Sequence, residues 1–264
     1  MHPFQLHKAS SAAQAAALVA GKADGRFLAG GQSLLATMKL RLSAPSDLVD
    51  LASAADLKGI KSDGRTVTIG AMTTHADVAA SPVVQKTIPA LAALAAGIGD
   101  RQVRNVGTLG GALANNDPAA DYPAAVLGLG ATVHTNKRAL HADQFFRGMY
   151  ETALEIGELI TAVSFPVPQK AAYIKFGNPA SRFALIGVLA AQTPAGPRIA
   201  VTGGGSGVFR VADMERALAS EWSAAAIAQV RVPASGLSSD LHGSAEYRAH
   251  LVGVLAQRAV AAAR

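Results

Sequence analysis

Two pairs of adjacent glycines constrain this chain more than any other feature. Gly30 and Gly31 sit in FLAGGQSLLATMKLRL, between a short apolar run and a helix-like run. Gly110 and Gly111 sit in RQVRNVGTLGGALANNDPAAD, about eighty residues later. Adjacent glycines let a backbone approach another group closely and reach positive φ. Each pair has a hydroxyl nearby, Ser33 in one case and Thr108 in the other. Amide N–H groups freed in such a loop, together with the helix start that follows, attract phosphate. Two such loops in one chain can hold the two ends of an extended, phosphate-bearing ligand.

Other nucleotide folds are not supported. The chain has no G-x-G-x-x-G and no G-x-x-x-x-G-K-[ST]. The run GGGSG at 203–207 lacks the phosphate-loop lysine. With valine at 208 it also misses the G-x-S-x-G spacing. It reads as a flexible strand-to-helix loop. There is no cysteine, which excludes disulfides, thiolate metal sites, iron–sulfur ligation and thiol catalysis by this chain. The seven histidines show no metal spacing, and no residue is assigned a catalytic or metal role. The net charge is +6, but the basic residues are scattered and aromatics make up only 5%. Nucleic-acid binding needs a concentrated stripe with stacking rings, so a basic surface or an acidic partner is the reading. Half the residues are apolar and 16% charged, which supports a packed core. No stretch has the ~18 uncharged apolar residues of a membrane span. The opening MHPFQLHKAS lacks a secretion signal, so the cytoplasm is the expected location.

The element pattern predicts an α+β chain. S-A-A-Q at 11–14 has capping-box spacing before a helix ending near Gly21. Residues 26–29 read as a strand, 34–40 as a helix ended by Pro45, and 47–51 as a strand, together a small βαβ-like unit. Thr66–Ile69 alternates as a strand. Thr73 or Thr74 caps a short helix, and 82–96 reads as one longer helix. Residues 121–129 form a helix, and 131–135 and 159–165 form strands. A composition shift at PVPQK (166–170) marks a boundary. Beyond it, 172–176, 183–191 and 198–202 read as strands, Asp213 as a cap, and 244–263 as a closing amphipathic helix. Asp117 and Asp121 flank Pro118. A Mg²⁺ pair and an acceptor for a ligand hydroxyl are the functional readings; helix capping is preferred for Asp117, while Asp121 stands evenly between capping and a functional role.

These segments, in this order, resemble a known family. FLAGGQSLLATMKLRL, IGDRQVRNVGTLGGALANNDPAAD, ELITAVSFP, YIKFGNPASRFALIGV and GSAEYRAHLVGVLAQRA are similar to the FAD-binding medium subunit of molybdenum hydroxylases, the family of xanthine dehydrogenase and carbon monoxide dehydrogenase. The resemblance implies a two-lobed FAD-binding domain of the vanillyl-alcohol-oxidase (PCMH) type over residues 1–167, with lobes at about 1–55 and 56–167. A small C-terminal domain of antiparallel sheet plus helices would span 168–264.

The resemblance also implies the site. Phe27, Leu28, Ala29, Gly30, Gly31, Gln32, Ser33 and Leu34 form the first cofactor loop. Amides around Gly30–Ser33 meet the diphosphate, and the Ser33 hydroxyl adds a donor. Thr108, Leu109, Gly110, Gly111 and Ala112 form the second loop, with Gly110 required for backbone approach. Asp121 accepts from a cofactor hydroxyl. Ile98 and Ile160 pack on the cofactor, Lys175 lies near the flavin, and residues 177–183 shield one ring face. FAD is held non-covalently. His75 reads as a helix-terminus or surface histidine, with a covalent flavin link as the alternative. The molybdenum cofactor and [2Fe–2S] clusters belong to a large and a small partner subunit, in a dimer of heterotrimers. The alternatives are a stand-alone flavin oxidoreductase of the vanillyl-alcohol-oxidase class and a non-enzymatic nucleotide-binding module.

Overall fold

The computed structural model describes residues 1–264. It opens on a strand, β1 (Gln5–Lys8), that the short polar run QLHK did not announce. The helix α1 (Ala12–Val19) follows, with the Ser11 hydroxyl accepting from the Gln14 amide. The reciprocal bond lands one residue early, because the Ser10 amide donates to Gln14 Oε1 at 2.7 Å. Next come β2 (Gly25–Leu28), α2 (Leu34–Lys39) and β3 (Asp47–Asp50). The three strands form a parallel sheet of order β1-β3-β2. α2 ends before Pro45 is reached; Arg41, at φ 61°, turns the chain first.

The middle of the chain holds β4 (Ile60–Ser62) and β5 (Thr66–Gly70), then a run of short helices. These are α3 (His75–Ala80), α4 (Pro82–Thr87), α5 (Pro89–Ala96), α6 (Arg101–Val106), α7 (Leu109–Asn115) and α8 (Tyr122–Gly128). Thr74 caps α3 by accepting from the Asp77 amide. The single helix expected over 82–96 is broken. Pro89 lacks an N–H and forces Ile88 out of the helical region, to φ −139° and ψ 67°. β6 (Thr132–Thr135), β7 (Ala139–His141), α9 (Ala142–Phe145), the hairpin of β8 (Phe146–Gly148) and β9 (Glu151–Thr152), and β10 (Ile160–Pro166) complete this part. Its antiparallel sheet runs β4-β5-β10-β6-β7. Strand alternation buries Val67, Ile69, Val133, Val163 and Phe165 on the helix-covered face.

The last part is an antiparallel sheet, β11 (Lys170–Gly177), β12 (Ala184–Thr193), β13 (Gly196–Thr202) and β14 (Phe209–Arg210), with α10 (Ala212–Ser220) and α11 (Ala245–Ala262). Ser244 caps α11 by accepting from the Tyr247 amide. Asp213 does not cap α10; Val211 holds the cap position and Asp213 lies inside the first turn. The GGGSG run is not a free loop into a helix. It leads to β14, and its start is pinned, with Gly203 donating to the Pro118 carbonyl at 2.8 Å and Ser238 to the Gly204 carbonyl at 2.8 Å.

All seven residues of α8 are buried. A helix apolar on every side must be covered on every side. The β12–β13 face supplies one cover, and a Cβ at Gly128 would stand only 2.5 Å from Leu189 Cδ2. One core cluster runs from Val67 and Phe165 through Leu91 and Val126 to Ala171, Leu189 and Ala200. Each fully buried Val or Leu in it contributes about 1.5–3 kcal/mol. Packing is therefore continuous across the composition shift at 166–170. No helix is long and apolar enough to cross a membrane.

Candidate functional site

A cleft of about 550 Å³ lies where the β2–α2 loop meets the α6–α7 junction. Phe27, Ala29, Gly30, Gly31, Gln32, Ser33 and Leu34 line it from the first loop. Leu28 does not; its Cδ1 packs beside Gly31 instead. Gly31 has φ +67°, which explains why glycine stands there. The amides of Gly30, Gly31, Gln32, Ser33 and Leu34 donate to no acceptor in the protein, while the Gly31 and Ser33 carbonyls are used by Leu35 and Thr37. Ser33 makes no side-chain cap for α2. The result is a row of free donors at the head of a helix, a cradle for an anion.

The second glycine pair works differently. Thr108, Gly110, Gly111 and Ala112 line the cleft, but Leu109 is fully buried in the core. The Leu109 amide donates to the Thr73 carbonyl at 3.1 Å and the Gly110 amide to the Ala71 carbonyl at 2.8 Å. The Gly111 amide goes to the Thr108 hydroxyl at 3.2 Å. This segment is the capped first turn of α7, bridged to residues 71–75, and its amides from Leu109 to Ala112 are engaged within the protein, while the Thr108 amide donates to no acceptor. Gly110 is glycine because a Cβ there would lie 2.6 Å from Ala71 Cβ. Gly110 also lines the cleft, so the missing Cβ serves close packing against the turn after β5 as well as the cleft wall.

The two loops touch. A Cβ on Gly30 would stand 2.8 Å from Gly107 Cα and nearer still to the Val106 carbonyl oxygen. A Cβ on Gly111 would stand 3.4 Å from Ala29 Cβ. Ile98 and Ile160 are also on the cleft wall, Ile160 at the first position of β10.

Asp121 lines the cleft but is already engaged. Tyr173 donates to its Oδ1 at 2.6 Å and Lys175 to its Oδ2 at 3.1 Å. The Lys175 ammonium also donates to the carbonyls of Gly97 at 2.9 Å and Arg182 at 3.0 Å. Burial pushes the Asp121 carboxyl up from its ordinary value, against the pull of Lys175 and Tyr173. Asp121 is therefore a latch between α8 and β11; it holds the N-cap position of α8 without a side-chain capping bond. Lys175 stands behind this latch and does not line the cleft. Asp117 makes a local turn, accepting from the Ala119 amide at 2.9 Å.

Sequence reasoning missed several wall residues. Tyr122 follows Asp121, and Tyr150 sits at the β8–β9 tip at φ +56°; both line the cleft. So does His75, which stands at the helix terminus expected of it, as the first residue of α3, but is 5% exposed and so not on the surface. His75 Nδ1 and the Tyr122 hydroxyl are buried without a hydrogen-bond partner. The signal available for His75 was its place after T-T, at the start of a capped helix facing the second glycine pair.

Burial, aided by Arg104, lowers the His75 pKa from 6.5 to about 4. The unfolded chain thus takes up a proton on this residue before the folded one does, and stability falls as pH drops through that window. The expected loss is about 3 kcal/mol between pH 6.5 and 4. Denaturant unfolding at pH 7 and pH 4.5 checks it, with His75→Gln as the subtraction. The gap between wild type and variant should narrow on acidification, and an unchanged gap would refute the assignment. Glu158 is held to about 2 by Arg138, the Glu155 amide and Thr135 against its own burial, so its contribution changes only at lower pH.

The cleft thus joins a row of amide donors to apolar walls supplied by Phe27, Ile98, Val103 and Ile160. That pairing fits a ligand with a diphosphate at one place and a flat apolar ring system at another. Known proteins are similar to this chain over most of its length. The nicotine 6-hydroxylase medium subunit of Paenarthrobacter nicotinovorans is 38% identical over 90% of this chain and 89% of its own. A solved carbon monoxide dehydrogenase from Hydrogenophaga pseudoflava superposes with a TM-score of 0.88 at 34% identity, covering 99% of this chain and 98% of that one. Quinoline 2-oxidoreductase from Pseudomonas putida 86 gives a TM-score of 0.89 at 30% identity, covering 99% and 97%. With residues 2–168 matching its model, the chain belongs to the family described as the FAD binding domain in molybdopterin dehydrogenase.

Proposed function

We propose that this chain binds FAD non-covalently and serves as the flavin subunit of a molybdenum hydroxylase. The observation that carries the reading is the row of unpartnered amides from Gly30 to Leu34, set in a cleft with apolar walls. These amides hold the diphosphate, and the exposed Ser33 hydroxyl and Gln32 amide add polar contacts. Thr108 and the first turn of α7 form the opposing wall, with Gly111 bringing backbone close to the first loop. Phe27, Ile98 and Ile160 exclude water from the ring system. Residues 181–183 line the far side, with Arg182 at φ 63° donating to the Gly99 carbonyl at 3.2 Å, and they cover one ring face.

Bound FAD supplies the chemistry of accepting electrons singly and releasing them in pairs. The protein positions it and sets its surroundings. Asp121, engaged by Lys175 and Tyr173, places a buried carboxylate at the cleft edge without being consumed by it. With no cysteine, the chain holds no cluster of its own. Electrons arrive from [2Fe–2S] clusters of a small partner subunit, which draw on a molybdenum cofactor in a large one, and leave to an external acceptor. The assembly is a dimer of such heterotrimers, in the cytoplasm. The FAD domain, of PCMH type, comprises residues 1–167 in two lobes, 1–55 and 56–167. Residues 168–264 form the C-terminal domain. Relatives named as medium subunits favour this over a stand-alone oxidoreductase.

Flavin content is the test. The purified chain, or its complex with the two partner subunits, should be yellow and release one FAD per chain on denaturation. A colourless protein that takes up no FAD even in the reconstituted complex would sink the proposal. Turnover of a substrate by the isolated chain would point to the stand-alone alternative.

A further inference from the structure

A second cavity, of about 470 Å³, lies outside the flavin cleft and shares none of its lining residues. It sits among the β8–β9 hairpin, the GGGSG segment, the start of α10 and residues 231–237. Its titratable lining residues are Arg147, Arg210, Arg231 and Asp213, three cations against one anion, a net +2. The compensation is uneven. Arg210 is tied to Glu215 and to Asp143 at 3.3 Å, and Asp213 is paired with Arg216. Arg147 and Arg231 have no acidic partner and make no hydrogen bond in the protein.

The neutral donors point the same way. The amides of Gly207 and Val208, on the cavity wall, donate to no acceptor. Neither do those of Ala212 and Asp213, since α10 starts without a side-chain cap. The hydroxyls of Ser206 and Ser235 are also unengaged. Exposed, unpaired guanidinium groups, free amides and hydroxyls around one concavity form a lining rich in donors, with the Arg216-paired Asp213 as its single carboxylate. Such a lining favours a dianion over a neutral or cationic ligand. The volume lies within the range of small-molecule pockets.

We infer that this cavity is a second ligand site, separate from the flavin cleft, that binds the phosphate group of a small phosphorylated molecule through Arg147, Arg231 and the Gly207–Val208 amides. A phosphate monoester carries about −1.5 to −2 at neutral pH, matching the +2 of the lining. The fork of Arg231 or Arg147 suits bidentate contact with two phosphate oxygens. The remaining volume accommodates an organic part against Phe146, Val232 and Leu237.

The test uses the full chain saturated with FAD, so that the first cradle is filled. Inorganic phosphate and AMP are titrated by calorimetry at low ionic strength. Saturable binding is expected, with AMP tighter than phosphate if an organic part is recognised and the two equal if the site takes free phosphate. Arg147→Gln and Arg231→Gln should each weaken binding about tenfold, as loss of one charge-assisted contact does, while flavin content and thermal midpoint stay unchanged. No saturable binding up to roughly 10 mM of either probe would overturn the inference. So would binding that both arginine variants leave intact, or that excess FAD competes away. Binding of an acidic protein segment but of neither probe would overturn it as well, assigning the cavity to a protein interface.

Discussion

Gly30→Ala will cost the protein its flavin and much of its stability. The added Cβ would press on Gly107 Cα at 2.8 Å and harder on the Val106 carbonyl oxygen. Both obstacles are backbone, so no side-chain rotation relieves the clash. The first loop must lift away from the α6–α7 junction, which splays the amides of Gly30–Leu34 from the opposing wall. Overpacking of this kind costs about 1–3 kcal/mol or more. A retained-FAD assay and a denaturant melt measure both effects, and FAD affinity should fall at least about tenfold. Gly31→Ala is the control. It also carries strain, from a φ of +67°, but the nearest obstacle is the tip of Leu35, which can move. Its cost should be near 1 kcal/mol. If Gly30→Ala keeps full FAD occupancy and wild-type stability, contact between the loops does not shape the cradle.

Lys175→Met should destabilise the protein by about 3–5 kcal/mol at pH 8, because it leaves a buried carboxylate without its counter-charge. Asp121 is 4% exposed and would keep the Tyr173 hydroxyl as its one side-chain donor. The pH dependence identifies the cause. Asp121 is already raised by burial, and removing the lysine raises it further. A carboxyl raised in the folded state gains a proton on folding as pH falls, so the deficit of the variant should shrink toward pH 5. Asp121→Asn combined with Lys175→Met should cost less than the two single changes added together. A deficit that is independent of pH would mean that Lys175 acts through its bonds to the Gly97 and Arg182 carbonyls instead.

Much of this molecule was legible in its sequence, and the failures share a cause. Local signals read well: Ser11, Thr74 and Ser244 cap where their spacing says. Strands with clear alternation, such as Thr66–Gly70, appear where expected. What sequence does not carry is which partner uses a backbone group. The motif T-L-G-G contains free-looking amides, yet Ala71 and Thr73 accept from two of them. Only the pairing of distant segments, Thr74 with Thr108, decides that. Lys175 and Asp121, fifty-four positions apart, were each singled out, but their joint engagement depends on β11 packing beside α8. Tyr122 looks ordinary in sequence, and the enclosure of His75 does not show there; burial orphans a polar atom of each. A proline read as an internal helix residue, Pro89, is the one error a local rule would have prevented.

The wholly enclosed α8 has a consequence for how this chain can be inherited. The family match stops at residue 168, at a point where cutting seems natural. Yet Val126 and Gly128 rest on Leu189 and Ala200 from beyond that point. A gene ending there would leave a greasy rod facing water and drive clumping. Recombination that trades the second half of the chain must therefore preserve the shape of that seam, so the two halves are expected to drift in concert.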